Sequence, residues 1–126
     1  MDKPISTLMS PDVTTVRADD TIEAVGATLR SSGLTFVPVV DAPGDTVLGI
    51  ISAEDIVRFE GAKRDPASVR AWEICSYKPV EVTADASACD VARLMVERQV
   101  HHVVVMDEDS LVGVVSSLDY VKEFIK

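Results

Sequence analysis

Two segments share the pattern Gly-x-x-Ser-x-x-Asp: Gly49-Ile50-Ile51-Ser52-Ala53-Glu54-Asp55 and Gly113-Val114-Val115-Ser116-Ser117-Leu118-Asp119. In each, an apolar run ends in a serine, a helical stretch begins there, and a carboxylate follows on the first turn. The unpaired backbone N–H groups and the positive dipole end of such a helix favour an anion. The serine hydroxyl can bond phosphate or sugar, and a carboxylate can accept from both hydroxyls of a ribose. The same spacing also makes a helix N-cap, which stabilises without binding anything. Taken alone the motif reads as a cap, and a copied cap is still a cap.

His101 and His102 precede an apolar run. Neighbouring side chains on a strand point to opposite faces, so the pair does not chelate one metal, and no third ligand stands at metal-site spacing. We expect no metal site. Two readings of the pair stand side by side: one surface histidine with one packed at a sheet end, or phosphate contacts that titrate near neutrality. The chain has no G-x-S-x-G, Walker A, H-E-x-x-H or G-x-G-x-x-G segment and so no recognisable catalytic constellation. We therefore expect no catalytic residues and no enzyme. Trp72 and Tyr77 read as packing residues. Cys75 and Cys89, in apolar company and without C-x-x-C spacing, read as buried free thiols of a reducing compartment.

The elements that position these residues occur twice. At an offset of 66, Asp12–Asp41 aligns with Lys78–Asp107 without a gap: Val16 meets Val82, Asp19 meets Asp85, Val37 meets Val103 and Asp41 meets Asp107. The offset then drops to 64, because the turn Ala42-Pro43-Gly44-Asp45 is two residues longer than its counterpart. The repeat predicts residues 1–62 and 63–126 as two copies of one α/β unit. Each copy has an apolar lead (Ile5–Met9; Ala71–Cys75), an extended piece at Val16 or Val82, and a helix. Asp20 with Glu23, and Ser87 with Asp90, are the expected caps, and Gly33 the stop of the first helix. Two strands with continuous apolar runs follow, Phe36–Val40 and Thr46–Ile51, then Val103–Met106 and Leu111–Val115, which predicts burial on both faces. Helices at Ala53–Glu60 and Ser117–Ile125 close the copies. Asp65-Pro66 is the expected start of a helix carrying the second lead. Neither copy has enough core to stand alone, so the two are expected to pack on each other.

A chain of 126 residues, 47% hydrophobic and 26% charged, folds without disulfides or metals. A net charge of −9 argues against nucleic acid or an anionic membrane as main partner. No stretch reaches the eighteen or so apolar residues of a membrane span, and Met1-Asp2-Lys3-Pro4 opens no signal peptide. The expected location is cytoplasmic.

These segments resemble a tandem cystathionine-β-synthase (CBS) domain pair. Phe36-Val37-Pro38-Val39-Val40-Asp41 and Gly49–Asp55 match best; His101–Asp107 is looser, with Val104 where the family usually has proline. The likeness covers nearly the whole chain, so we expect no attached catalytic or transport domain. It implies an α/β fold of two pseudo-symmetric βαββα repeats packed through their sheets. It also implies a regulatory module that binds adenine nucleotides or adenosyl compounds (AMP, ADP, ATP, S-adenosylmethionine) in clefts between the copies, with no required cofactor. A homodimer and a separate regulated protein would be its partners. The implied shells run crosswise. Ser52 and Asp55 would hold ribose and phosphate, with Lys78, Val80, His101 and His102 close by. Ser116 and Asp119 would serve the other cleft, with Asp12, Thr14, Thr35 and Phe36. The apolar helix faces of Val91, Met95 and Ile56/Phe59 would carry the dimer. A ligand-free structural or dimerisation module is the alternative.

Overall fold

A computed structural model describes residues 2–41 and 46–125; the turn expected at 42–45 lies outside them. The elements are β1 (Val16–Arg17), α1 (Ile22–Ser32), β2 (Phe36–Asp41), β3 (Thr46–Ser52), α2 (Ala53–Gly61), α3 (Ala71–Ile74), β4 (Ser76–Tyr77), β5 (Glu81–Thr83), α4 (Ala88–Arg98), β6 (His102–Asp107), β7 (Ser110–Ser116) and α5 (Ser117–Phe124). A 3-10 turn at Ile5–Thr7 opens the first lead.

These elements form two compact units, and the units are not the sequence copies. One is continuous, Thr14–Pro79; the other is Met1–Val13 with Val80–Lys126. Each core takes its lead from the other copy. In the continuous unit the sheet order is β1-β2-β3-β4, and β4 comes from the second lead. The Ala71 N–H donates to the Asp20 carbonyl and the Trp72 N–H to Ala18. In the discontinuous unit the sheet is β5-β6-β7, and the first lead docks on it by the matching bonds, Ile5 N–H to Ala86 and Ser6 N–H to Ala84. Ser10 bridges Val114 as Ser76 bridges Ile50. Even the irregularity repeats: β2 against β3 slips between Val39 and Val40, β6 against β7 between Val105 and Met106.

Each unit has its own core. Val16, Ile22, Val25, Leu29, Val37, Val39, Ile51 and Phe59 cluster in one, with Ala71 and Cys75 from the second lead. Ile5, Val91, Met95, Val103, Val105 and Val115 cluster in the other. The central strand β2 is buried on both faces from Phe36 to Val40, as its unbroken apolar run predicts; β3 and β7 are only partly buried.

Several local expectations are corrected. Thr21, not Asp20, caps α1 by accepting from the Ala24 N–H; Asp20 accepts from the Arg17 N–H instead. Asp65-Pro66 opens a turn and no helix. The Ser68 N–H bonds back to Asp65, and the Pro66 carbonyl that a helix would need is taken by the Glu23 N–H, so the lead helix waits until Ala71. Gly33 does end α1, in the left-handed region at φ 65°; in the second copy Gln99 takes that conformation at φ 56°. Cys75 is buried, and its desolvation pushes the thiol up from its ordinary range, but Cys89 is exposed. Val91, Met95 and Phe59 are core residues and form no outward apolar face. Trp72 and Tyr77 are half-exposed rather than packed away.

The N-terminal segment is tied to α4 and α5. Asp2 accepts from the Ser87 hydroxyl and the Cys89 N–H, and Lys3 pairs with Glu123. Tyr120 on α5 donates to the Ala88 carbonyl at 2.8 Å. Burial, with smaller contributions from nearby negative groups, pushes this phenol up to about 12. An unfolded tyrosine ionises near 10, so from there to about 12 the unfolded chain loses this proton while the folded one keeps it. Stability from this group is full below pH 10 and falls as pH rises through that window. Tyr120→Phe should lose about 1 kcal/mol at pH 7, for the missing hydrogen bond. It should also lose less stability than the parent between pH 9 and pH 11, read by urea unfolding. An unchanged alkaline slope would rule out this role for Tyr120.

Candidate functional site

The two Ser–Asp motifs form alike. Each serine ends an antiparallel strand and caps the helix that follows, so the strand hands its last side chain to a helix N-terminus. At the first, the Asp55 Oδ2 accepts from the Ser52 N–H at 2.7 Å and from the Ser52 hydroxyl at 3.0 Å, and the Asp55 N–H donates to that hydroxyl at 3.2 Å. At the second, the Asp119 Oδ2 accepts from the Ser116 N–H at 2.7 Å and from its hydroxyl at 3.3 Å. Both carboxylates are therefore caps, and each cap uses one oxygen. The other oxygens differ: Asp55 Oδ1 takes Arg58 at 3.0 Å, whereas among the described residues Asp119 Oδ1 has no such partner.

The strand register decides which neighbours stand beside each motif. Phe36 lies opposite Ser52, and the Thr35 carbonyl accepts from the Ala53 N–H. His102 lies opposite Ser116, and the His101 carbonyl accepts from the Ser117 N–H. The resemblance implies, in addition, a crosswise shell, with the histidines near Asp55 and Thr35/Phe36 near Asp119. The hairpin seats each pair beside the motif of its own copy. Lys78, with φ 55°, follows β4 on the sheet whose strand β3 ends in Ser52, and Asp12 follows Ser10, which bridges the strand β7 that ends in Ser116. Val80 lies in the discontinuous unit, where its carbonyl accepts from the Val104 N–H, and Thr14 begins the continuous one. Thr35 and His101 are exposed and His102 half-buried; the Phe36 side chain is buried and offers only backbone.

Charge near the first motif comes from residues that sequence reasoning passed over. Asp55, Arg58, Phe59 and Arg64 line a depression of about 200 Å³. Arg64 lies over the Phe59 ring at 5.8 Å, and Arg58 spans Asp55 and Glu54. The Ser-x-x-Asp-x-x-Arg spacing was the available signal, since residues three apart on a helix share a face. At the second motif a mostly apolar depression of about 490 Å³ runs beside His101 and Ser117, walled by Met95, Val96 and Tyr120.

With two such helix-capped motifs on two repeated sheets, comparison with known proteins is decisive. The CBS domain family matches residues 5–61 and again 71–126. The chain belongs to the CBS domain family. Uncharacterized protein YlbB of Bacillus subtilis is 30% identical over 112 residues, covering 89% of this CBS chain and 76% of that protein. Uncharacterized protein MJ0188 of Methanocaldococcus jannaschii is 32% identical over 127 residues, covering 100% of this chain and 46% of that protein, so the chain spans less than half of it. Among solved structures, the CBS domain of a bacterial CNNM/CorC family Mg2+ transporter in complex with ATP superimposes with a TM-score of 0.86 at 23% identity, covering 98% of this chain and 87% of that one. At that identity the likeness concerns the fold. Among the described residues no helix is long and apolar enough to cross a membrane.

Proposed function

We propose that this CBS pair is a cytoplasmic regulatory module that senses an adenine nucleotide or adenosyl ligand and controls a separate protein. The observation that carries this reading is the spare carboxylate oxygen. Each Ser–Asp motif satisfies its helix cap with Oδ2 alone, which leaves Oδ1 of Asp119 available to ribose hydroxyls and Oδ1 of Asp55 available once Arg58 swings away. AMP, ADP, ATP and S-adenosylmethionine are the candidate ligands. Support also comes from the ATP complex of the structurally similar transporter domain. The second reading is a structural module without ligand, and the complete caps favour it, because they account for both motifs without any binding. For either reading we propose a homodimer, on the exposed apolar residues Val96, Leu118, Val121 and Phe124 of α4 and α5.

A thermal-shift panel of adenosine, AMP, ADP, ATP, NADH and S-adenosylmethionine separates the two. A ligand at 100 times its Kd adds about 2.7 kcal/mol, which is a rise of several degrees. We expect at least one adenosyl compound to give it. A flat panel would leave the structural module. Light scattering on the same samples should give about twice 13.6 kDa; a particle at the monomer mass would remove the homodimer.

A further inference from the structure

A second depression lies in the continuous unit, at the other end of its sheet. Asp41 pairs with Thr46, five residues along β2 from the Phe36–Ser52 pair, so this end is about 17 Å from the Ser–Asp motif. The depression measures about 390 Å³ and is lined by Arg17, Asp19, Asp41, Leu48, Trp72 and Tyr77. Two carboxylates against one guanidinium leave its lining net negative by one charge. The two aromatic side chains are 49% and 51% exposed, which is unusual for rings of this size. Both are held in place all the same: the Trp72 N–H donates to Ala18 at 3.0 Å, Tyr77 pairs with Gly49 of β3, and the Tyr77 hydroxyl donates to the Trp72 carbonyl.

The other unit serves as an internal comparison. The backbone bond that places Trp72 is repeated there by Ser6, whose N–H donates to Ala84 at 3.1 Å. The carboxylates recur as Asp85 and Asp107, but Trp72 is replaced by Ser6 and Tyr77 by Pro11. The equivalent positions carry no aromatic ring there, so the fold of this corner does not require Trp72 or Tyr77. Apolar rings held open to water beside carboxylates form a recognition surface for a positive charge with an apolar skin, because the π-face is negative and the carboxylate supplies the counter-charge. The net negative lining disfavours phosphate.

We propose that this depression binds a small organic cation, an alkylammonium or guanidinium head group, with Trp72 and Tyr77 as its aromatic walls and Asp19 as its counter-ion. The site is independent of the nucleotide reading and stands or falls apart from it. Trp72 is the sole tryptophan of the chain, so its emission reports on this one place. The test titrates the protein with tetramethylammonium, choline and acetyl-trimethyllysine amide, and with 3,3-dimethyl-1-butanol, the neutral isostere of choline. Saturable change is expected with the cations, and binding about tenfold weaker with the isostere. Asp19→Asn and Tyr77→Leu should each weaken the cations by about five- to tenfold without changing the unfolding temperature under Asp19→Asn. Tighter choline assigns a free small molecule, and a tighter lysine amide assigns a side chain of a protein partner. An equal response to the isostere, no saturation by any cation, or an unchanged affinity in Asp19→Asn would each overturn the proposal.

Discussion

Gly49→Ala is expected to destabilise the protein by about 3 kcal/mol, and Gly113→Ala by about 1 kcal/mol or less. The two glycines open the same motif and sit at matching places on β3 and β7, yet what crowds them differs. A Cβ on Gly49 would strike the Ser76 carbonyl oxygen and lie 3.0 Å from the Cys75 sulfur, so it pushes against the backbone of β4. Relief means moving β4 off the sheet, with loss of the Gly49–Tyr77 and Ile50–Ser76 pairing. A Cβ on Gly113 would meet the sulfur of Met9 and its Cγ at 2.9 Å, the flexible end of a side chain that can swing aside. Thermal unfolding should show it as a fall of about 12 °C against about 4 °C. Equal effects would mean that β4 yields as easily as a methionine.

Replacing Asp119 by asparagine should separate capping from binding. The amide oxygen can still accept the Ser116 N–H, so the helix cap survives and the unfolding temperature should move by no more than about 2 °C. The free carboxylate oxygen is gone, and a ribose loses a charged acceptor. Hydrogen bonds to charged groups contribute about 1.5–3 kcal/mol, which converts to roughly ten- to a hundredfold weaker AMP binding by calorimetry. Asp55→Asn should cost less, because Arg58 already occupies the equivalent oxygen. Unchanged affinity in both variants would leave the carboxylates as caps alone.

How far the sequence could be read depended on the range of the interaction. The hairpins, α1, α4 and the Ser–Asp caps follow from apolar runs and short-range spacing, and they stand within a residue or two of expectation. The repeat gave the family and the register of the copies. What failed was settled by partners far along the chain. Pro66 looks like a helix start because its i+4 neighbours are in view, while the competing N–H of Glu23 lies 43 residues earlier. Apolar positions on α4 are legible, but which of them face outward was not: Val91 and Met95 turn in and Val96 turns out. The hairpin β6–β7 sets His102 opposite Ser116, a neighbour that the crosswise shell implied by the resemblance left out.

The exchange of leads also bears on how such a chain can change over time. Residues 14–79, the whole continuous unit, interrupt the other unit as an insert of 66 residues, the same length as the repeat offset. A gene duplication ordinarily leaves a spare that can be lost. Here deleting either copy would strip a lead from one unit and the sheet from the other, so both would be damaged at once. The boundary along which a half could be excised whole runs at 14 and 79 and not at the junction of the repeats, so once the leads had been traded the two copies could only be inherited together.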